Sequence, residues 1–294
     1  MKGSLPAKTS RNKLGSRRTR RFLVHWEVRL SLIVLCALCV AAALPTSLWD
    51  PAARQINLAN RLRPPVLMSG SSGPLLGTDQ LGRDMFSRLL VGIRLTLIIA
   101  GLATASATLF GTAAGLLAGY LGGAVDLIIS RFVDMFLAFP VMLLVLVLAA
   151  TLGRSPVTVA LVLGFSGWAR FTRVARSAVL TCARRDYVES ARALGASSGR
   201  IMAVHVVPNI MTTILVMSTF NLAQFVLLES SVSFLGLGPP PPSVTWGGLA
   251  GMGREYLYNG WWLCFFPGLA ISLLVLAVSV IGDALRDAYD PHTV

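Results

Sequence analysis

Six long apolar runs recur along this 294-residue chain, and about twenty apolar residues is the length at which a helix crosses a bilayer. They are Leu30 to Leu48, Leu95 to Leu121, Met135 to Leu152, Val157 to Ala169, Ile210 to Leu228 and Trp261 to Ile281. Hydrocarbon offers backbone N–H and C=O groups no partner, so a spanning segment that is not part of a closed barrel must be a helix. With 54% hydrophobic residues, 13% charged residues and a mean hydropathy of +0.69, the chain reads as an all-α, polytopic membrane protein. Six crossings place both termini on one side.

The third and fourth runs are short, and the fourth can equally be a re-entrant segment at a rise of about 1.5 Å per residue. Trp168 and a snorkelling Arg170 would then anchor its short end.

Orientation follows from the basic residues between the runs. Lys2, Lys8, Arg11, Lys13, Arg17, Arg18, Arg20 and Arg21 precede the first run with no acid among them, which assigns that tail to the cytoplasm. The segment between the fourth and fifth runs agrees, with Arg170, Arg173, Arg176, Arg184, Arg185, Arg192 and Arg200 against Asp186 and Glu189. The stretch from Glu229 to Gly260 holds one Arg against two Glu and belongs to the opposite face. The same tail and the apolar stretch after it, followed by the small residues Ala41, Ala42 and Ala43, have the alternative reading of a cleaved signal peptide. A net charge of +13 also raises nucleic-acid binding, but the tail abuts a span and interleaves no aromatics with its charges. Contact with anionic lipid and control of topology fit it better.

Catalytic and metal patterns are missing. The three histidines His25, His205 and His292 are scattered, and Cys36 and Cys39 form a C-x-x-C inside an apolar run, where thiols at i and i+3 read as packing residues. No phosphate loop, nucleophile elbow or H-E-x-x-H occurs. The six run cores contain no Asp, Glu, Lys, Arg or His, whereas ion-coupled transporters place ionisable groups at the midplane. An energy source outside the chain is implied, and no catalytic residue, cofactor or metal ligand is expected within it.

One polar segment interrupts this pattern. Tyr187 to Pro208 reads YVESARALGASSGRIMAVHVVP. Arg170 to Leu194 has neither Pro nor Gly and is expected as continuous helix, Gly195 as its C-cap, and Ser197 or Ser198 as the cap of a second short helix before Pro208. Ile201, Met202, Val204 and Val206 offer apolar contacts to an adjoining surface.

Glu189, Ser190, Ala191, three residues, Gly195, nine residues, His205, Val206, Val207 and Pro208 resemble the EAA loop of the inner-membrane permeases of ABC importers. That pattern is E-A-A, three residues, G, nine residues, I-x-L-P. Ser190, His205 and Val207 depart from it, and His205 puts a polar ring where an apolar contact is expected. The resemblance implies a coupling helix seated in a groove of a separate ATPase: Glu189 as a polar contact, Ala191 allowing close approach and Gly195 providing the bend. ATP and Mg would belong to that partner.

A second stretch, Gly77 to Arg94 (GTDQLGRDMFSRLLVGIR), resembles the segment ahead of the second span in C-type permeases of dipeptide, oligopeptide and nickel importers. Gly119 to Pro140, with Gly122, Gly123, Asp126, Arg131 and Asp134, is similar to the same group, as is SFLGLG at Ser233 to Gly238 before Pro239, Trp246 and Gly247. Read from the residues, Gly77 to Arg94 is an amphipathic helix capped by Thr78 or Asp79. Asp79, Arg83, Asp84 and Arg88 are then either a solvated ion-pair face or a contact for an external gate or binding protein. Gly111, Gly115 and Gly119 form overlapping G-x-x-x-G repeats for close helix packing, within the chain or against a second permease.

The expected protein is the type I permease of an ABC importer in a bacterial inner membrane, with a cytoplasmic tail at 1–29, a first span at 30–48, an external segment at 49–94, a core at 95–283 and a cytoplasmic end at 284–294. The resemblance implies a second, B-type permease, two ATP-binding cassette ATPases and an external solute-binding protein as partners, and di- or oligopeptides as cargo. Nickel chelates, glutathione or sugars are alternatives. A gradient-driven transporter, or a scaffold that recruits a partner without moving solute, are readings from other classes.

Overall fold

The structure is a computed structural model that describes residues 26–45, 47, 49–69 and 73–289. The basic residues from Lys2 to Arg21, His25, Asp290 and His292 lie outside the described residues. Among those described, the elements are helices: α1 (Trp26–Ala43), α2 (Asp50–Arg54), α3 (Met85–Leu121), α4 (Gly123–Ala138), α5 (Val141–Leu152), α6 (Pro156–Ala183), α7 (Asp186–Ala193), α8 (Ser198–Ile201), α9 (Val207–Phe234), α10 (Trp246–Gly253) and α11 (Trp262–Tyr289). Short helical turns lie at Leu58–Asn60, Val66–Ser69 and Arg254–Tyr256.

Helices α1, α3 and α11 are each long and apolar enough to cross a membrane, as is the run Ser198–Phe234 that ends in α9. Helices α4 and α5, which meet at 90°, are together long and apolar enough for a broken span or a re-entrant pair. The bend explains why the third apolar run was hard to read: Pro140 forces Phe139 into extended backbone (φ −85°, ψ 138°), and an α-helix cannot pass that point. The sixth element is α6, whose apolar first half coincides with the fourth run. It is no re-entrant segment but one 28-residue helix, about 42 Å long, started by Ser155, whose hydroxyl accepts from the Thr158 N–H at 3.1 Å. Arg170 therefore lies in its middle and not at an end.

The most extensive pairing in the fold is α3 against α6. Ala103, Ala107, Gly111, Gly115 and Gly119 repeat every fourth residue, so they form one stripe on α3, and all are buried. A side-chain carbon on Gly115 would come within 2.6 Å of the Thr172 carbonyl oxygen, and one on Gly119 within 2.9 Å of that of Arg176. The two backbones touch because no side chain separates them, and the glycine repeats serve packing inside this chain.

Two further expectations need correcting. Cys36 and Cys39 do not pack inside the chain; both are exposed, and all four cysteines are free thiols. Glu229 is not in a loop. Helix α9 runs on to Phe234, and Glu229 is fully buried, accepting a hydrogen bond from Ser233 Oγ at 2.7 Å.

Candidate functional site

The polar loop is built at the C-terminal end of α3, where Leu116 and Tyr120 pack against its core. The expected unbroken helix from Arg170 to Leu194 breaks at Arg184 and Arg185, between α6 and α7, although no Pro or Gly marks the place. Tertiary contacts make the break: Val188 is fully buried beside Val179, Ile201 and Val206, and the Tyr187 hydroxyl sits 3.2 Å from Cys182 Sγ. Burying Val188 turns α7 away from the axis of α6. The Tyr187 hydroxyl is held above its ordinary pKa, first by that contact with Cys182 and then by partial burial.

Helix α7 ends as the sequence indicates. Gly195 takes φ +81°, its N–H donates to Arg192 O at 3.0 Å, and the Ala196 N–H donates to Ala191 O at 3.1 Å. Those two bonds form a Schellman cap, which requires the left-handed residue that Gly supplies without strain. Ser197 holds the N-cap position of α8 in extended backbone but makes no side-chain capping bond. Instead of a separate short helix before Pro208, α8 continues through a π-turn at Met202–Val206 directly into α9. Pro208 sits in the first turn of α9, and the Asn209 side-chain amide donates to His205 O at 2.6 Å.

The outward face of the loop is now defined. Glu189, Ser190, Arg192 and Gly195 are exposed, Ala191 is half-buried, and Leu194 is 88% exposed. Of the four apolar residues expected to face outwards, Val204 does, Met202 is half-buried, and Ile201 and Val206 close the loop's own core. His205 is half-buried and faces the Tyr187 ring, with centroids 6.1 Å apart, so its polar ring packs within the loop. Leu194 was the residue missed; an apolar side chain immediately before a C-capping Gly was its available signal.

Three spans hold α7. Tyr187 joins it to α6, the α8 run leads into α9, and Arg192 lies over the Tyr120 ring at 5.9 Å, joining it to the last turn of α3. A cation over an aromatic face contributes about 0.5–1 kcal/mol where exposed.

The other candidate cluster lies at the opposite end of α3, about 55 Å away along a 37-residue helix. Asp84, not Thr78 or Asp79, caps it, accepting from the Ser87 N–H at 2.8 Å. The residues before it form a tight turn closed by the Thr78–Asp84 bridge. Asp79 and Arg88 are each 3% exposed and do not belong to a solvated face. The Asp79 carboxylate accepts from Arg83 Nε at 2.7 Å, Arg88 Nη1 at 2.8 Å and the backbone N–H groups of Leu81 and Arg83. Arg83 and Asp84 are half-buried and carry what contact the cluster can offer. Trp246 is likewise buried, its N–H donating to Leu89 O at 2.9 Å, while Pro240, Pro241 and Pro242 remain exposed.

Facing α6, α4 places two carboxylates the sequence did not pair. Asp126 takes both Nε and Nη2 of Arg176, the latter at 2.6 Å, and Asp134 takes Arg173 Nη2 at 2.8 Å.

Known proteins share this architecture. The family model described as binding-protein-dependent transport system inner membrane component matches residues 111–294. The dipeptide transport system permease protein DppC of Escherichia coli K12 is 43% identical over 231 residues, 78% of this chain and 77% of that protein. The di/tripeptide transport system permease protein DppC of Pseudomonas aeruginosa is 38% identical over 261 residues, 88% and 84% of the two chains. Among solved structures, an inward-facing MetNI methionine ABC transporter matches with a TM-score of 0.55 over 70% of this chain and 98% of that one, at 19% identity, which is a likeness of fold. The chain belongs to the inner-membrane components of binding-protein-dependent transport systems, and it is a multi-pass permease subunit of the type I fold.

Proposed function

We propose that this permease forms half of the translocation pathway of an ATP-driven importer of di- and oligopeptides. The supporting observation is α7: an exposed, Schellman-capped helix presenting Glu189, Ser190, Ala191, Arg192 and Leu194, tied to three spans at once. A surface helix connected in that way suits a separate motor protein. The relatives named for dipeptide and di/tripeptide transport support the cargo class.

In this reading the docking loop and both termini are cytoplasmic, and two ATPases, which bind ATP and Mg, dock on α7 and on its counterpart in a second, B-type permease. Glu189 makes a polar contact in the ATPase groove, Ala191 permits close approach and Gly195 fixes the bend. A solute-binding protein delivers cargo at the opposite face, where Asp79 and Arg88 hold the segment that presents Arg83 and Asp84. Closure of the ATPases pulls the two α7 helices together, and the spans rock between inward and outward access because α7 has different contacts in the two states.

Reconstitution with the partner subunits tests this. Uptake of a labelled dipeptide is expected only with ATP and binding protein; uptake driven by an ion gradient and indifferent to ATP would overturn the reading.

A further inference from the structure

Three arginines follow one another along one side of α6, at positions 170, 173 and 176. Arg173 and Arg176 have carboxylates, Asp134 and Asp126. Arg170 has a neutral partner among the described residues: its Nη1 donates to Gln224 Oε1 on α9 at 2.6 Å.

Depth distinguishes Arg170 from the other two. The apolar run Leu95 to Leu121 is centred on Thr108, whose hydroxyl lies 3.1 Å from that of Ser218, beside the centre of the run Ile210 to Leu228. Gly167 packs against Ala107 and Phe225, while Phe171 packs against Gly111. Arg170 follows Gly167 by three residues and precedes Phe171, so it sits within about one helical turn, 5.4 Å, of that central level. A guanidinium at mid-depth is cationic at all physiological pH and is not tolerated against lipid; it faces a partner or a water-filled passage. Arg170 is half-buried and Gln224 is exposed, so the pair opens outward from this chain.

One turn further along α6, a groove of about 490 Å³ opens between α6 and α9, lined by Arg173, Ser177, Arg185 and Asn209 together with the apolar Val174 and Ile210. Its polar wall offers hydroxyl, amide and guanidinium donors, with Arg173 paired to Asp134 and Arg185 adding positive charge.

From this geometry we infer that Arg170 and Gln224 form a mid-membrane station for a carboxylate, and that the carboxylate is the free C-terminus of the transported peptide. This rests on the peptide-import reading above. The guanidinium fork matches a carboxylate bidentately, and Gln224, accepting through Oε1, keeps its amide nitrogen as a further donor beside it. The neutral partner is what makes the station usable: Gln224 orients the guanidinium without neutralising it. The competing source of the same chemistry is an acidic side chain of the second permease.

The test uses the complete reconstituted importer with wild-type chain, Arg170→Gln or Arg170→Lys. Uptake is measured for a dipeptide and for its C-terminal amide, each at a concentration saturating the binding protein. Arg170→Gln is expected to lower uptake of the free acid at least about tenfold, the loss that follows from one charge-assisted hydrogen-bonded pair, while the amide changes by less than about twofold. Arg170→Lys recovers part of the free-acid uptake, and ATP hydrolysis stimulated by the binding protein persists in both variants. Equal loss for both peptides, with the second permease missing from the purified complex, would assign Arg170 to a carboxylate of that subunit and overturn the inference. Unchanged free-acid uptake in Arg170→Gln would also overturn it and leave the import reading standing. If the wild-type importer moved no peptide with ATP, the import reading would fail, and this one with it.

Discussion

Arg192 on α7 lies over the ring of Tyr120, 5.9 Å from guanidinium carbon to ring centroid, and so ties the exposed loop to the same helix whose first turn carries the buried Arg88–Asp79 pair. One 37-residue helix thus contacts the exposed α7 loop at one end and carries a buried ion pair at the other.

At the loop end, where the proposed ATPase would dock, Glu189→Lys and Leu194→Asp alter exposed side chains only. Each should shift chain stability by no more than about 0.5 kcal/mol, as surface substitutions do, while abolishing ATPase capture and uptake. Pull-down of the ATPase from detergent extracts, alongside a thermal melt, reads both quantities. Normal uptake in both variants would remove α7 as the docking element.

The bend at Gly195 depends on backbone conformation rather than space, because nothing lies within 4 Å of where its side chain would be. Gly195→Ala should cost about 1 kcal/mol for an L residue held at φ +81° and reduce uptake partially. Gly195→Pro also loses the N–H that donates to Arg192 O, and should eliminate uptake with membrane insertion intact. Protease accessibility of the loop distinguishes a displaced α7 from a misinserted chain.

At the anchor end, Asp79→Ala leaves two guanidiniums facing each other, one of them 3% exposed. Removing one partner of a buried ion pair costs about 3–5 kcal/mol, so this variant should melt far below wild type, whereas Arg54→Ala, on an exposed pair, should cost about 1 kcal/mol at most. Equal melts for the two would contradict the buried hub.

In the α3–α6 interface, Gly115→Val has no room, since the Thr172 carbonyl oxygen and Ala175 Cβ are each 2.6 Å from the added carbon. Overpacking costs about 1–3 kcal/mol, and neither backbone can give way without separating the helices. Reduced accumulation in the membrane is expected, with partial recovery by Gly115→Ala. Gly101→Val, at a glycine with nothing within 4 Å, should be tolerated.

The apolar helices and the cap at Gly195 were legible because both depend on local rules. A twenty-residue apolar run is helical in any bilayer, and a Gly that caps a polar helix is written in the sequence at Gly195. The breaks were only partly legible. Pro140 is a local cause of the 90° bend, yet the run Met135 to Leu152 reads as one span across it, and the stop at Arg184 and Arg185 has no local signal and arises because Val188 enters a core assembled from α6, α8 and α9. The charged cluster misled for a related reason: exposure is the usual fate of Asp and Arg, and its reversal at Asp79 needs two arginines and two backbone N–H groups converging on one carboxylate.

The amino-acid sequence by itself determined that this chain is a helical membrane protein, that a polar helix is capped at Gly195, and which glycines are spaced for close helix packing. Hydrophobic length, helix periodicity and φ preference act over a few residues and need no partner. Tertiary structure decided which charges are buried, that α6 continues past its apolar half, and that Arg170 stands near the level of Thr108 and Ser218 with the Gln224 amide as its hydrogen-bond partner among the described residues. Depth and pairing are properties of packed helices, fixed by contacts between residues more than fifty positions apart in sequence, such as Arg170 and Gln224.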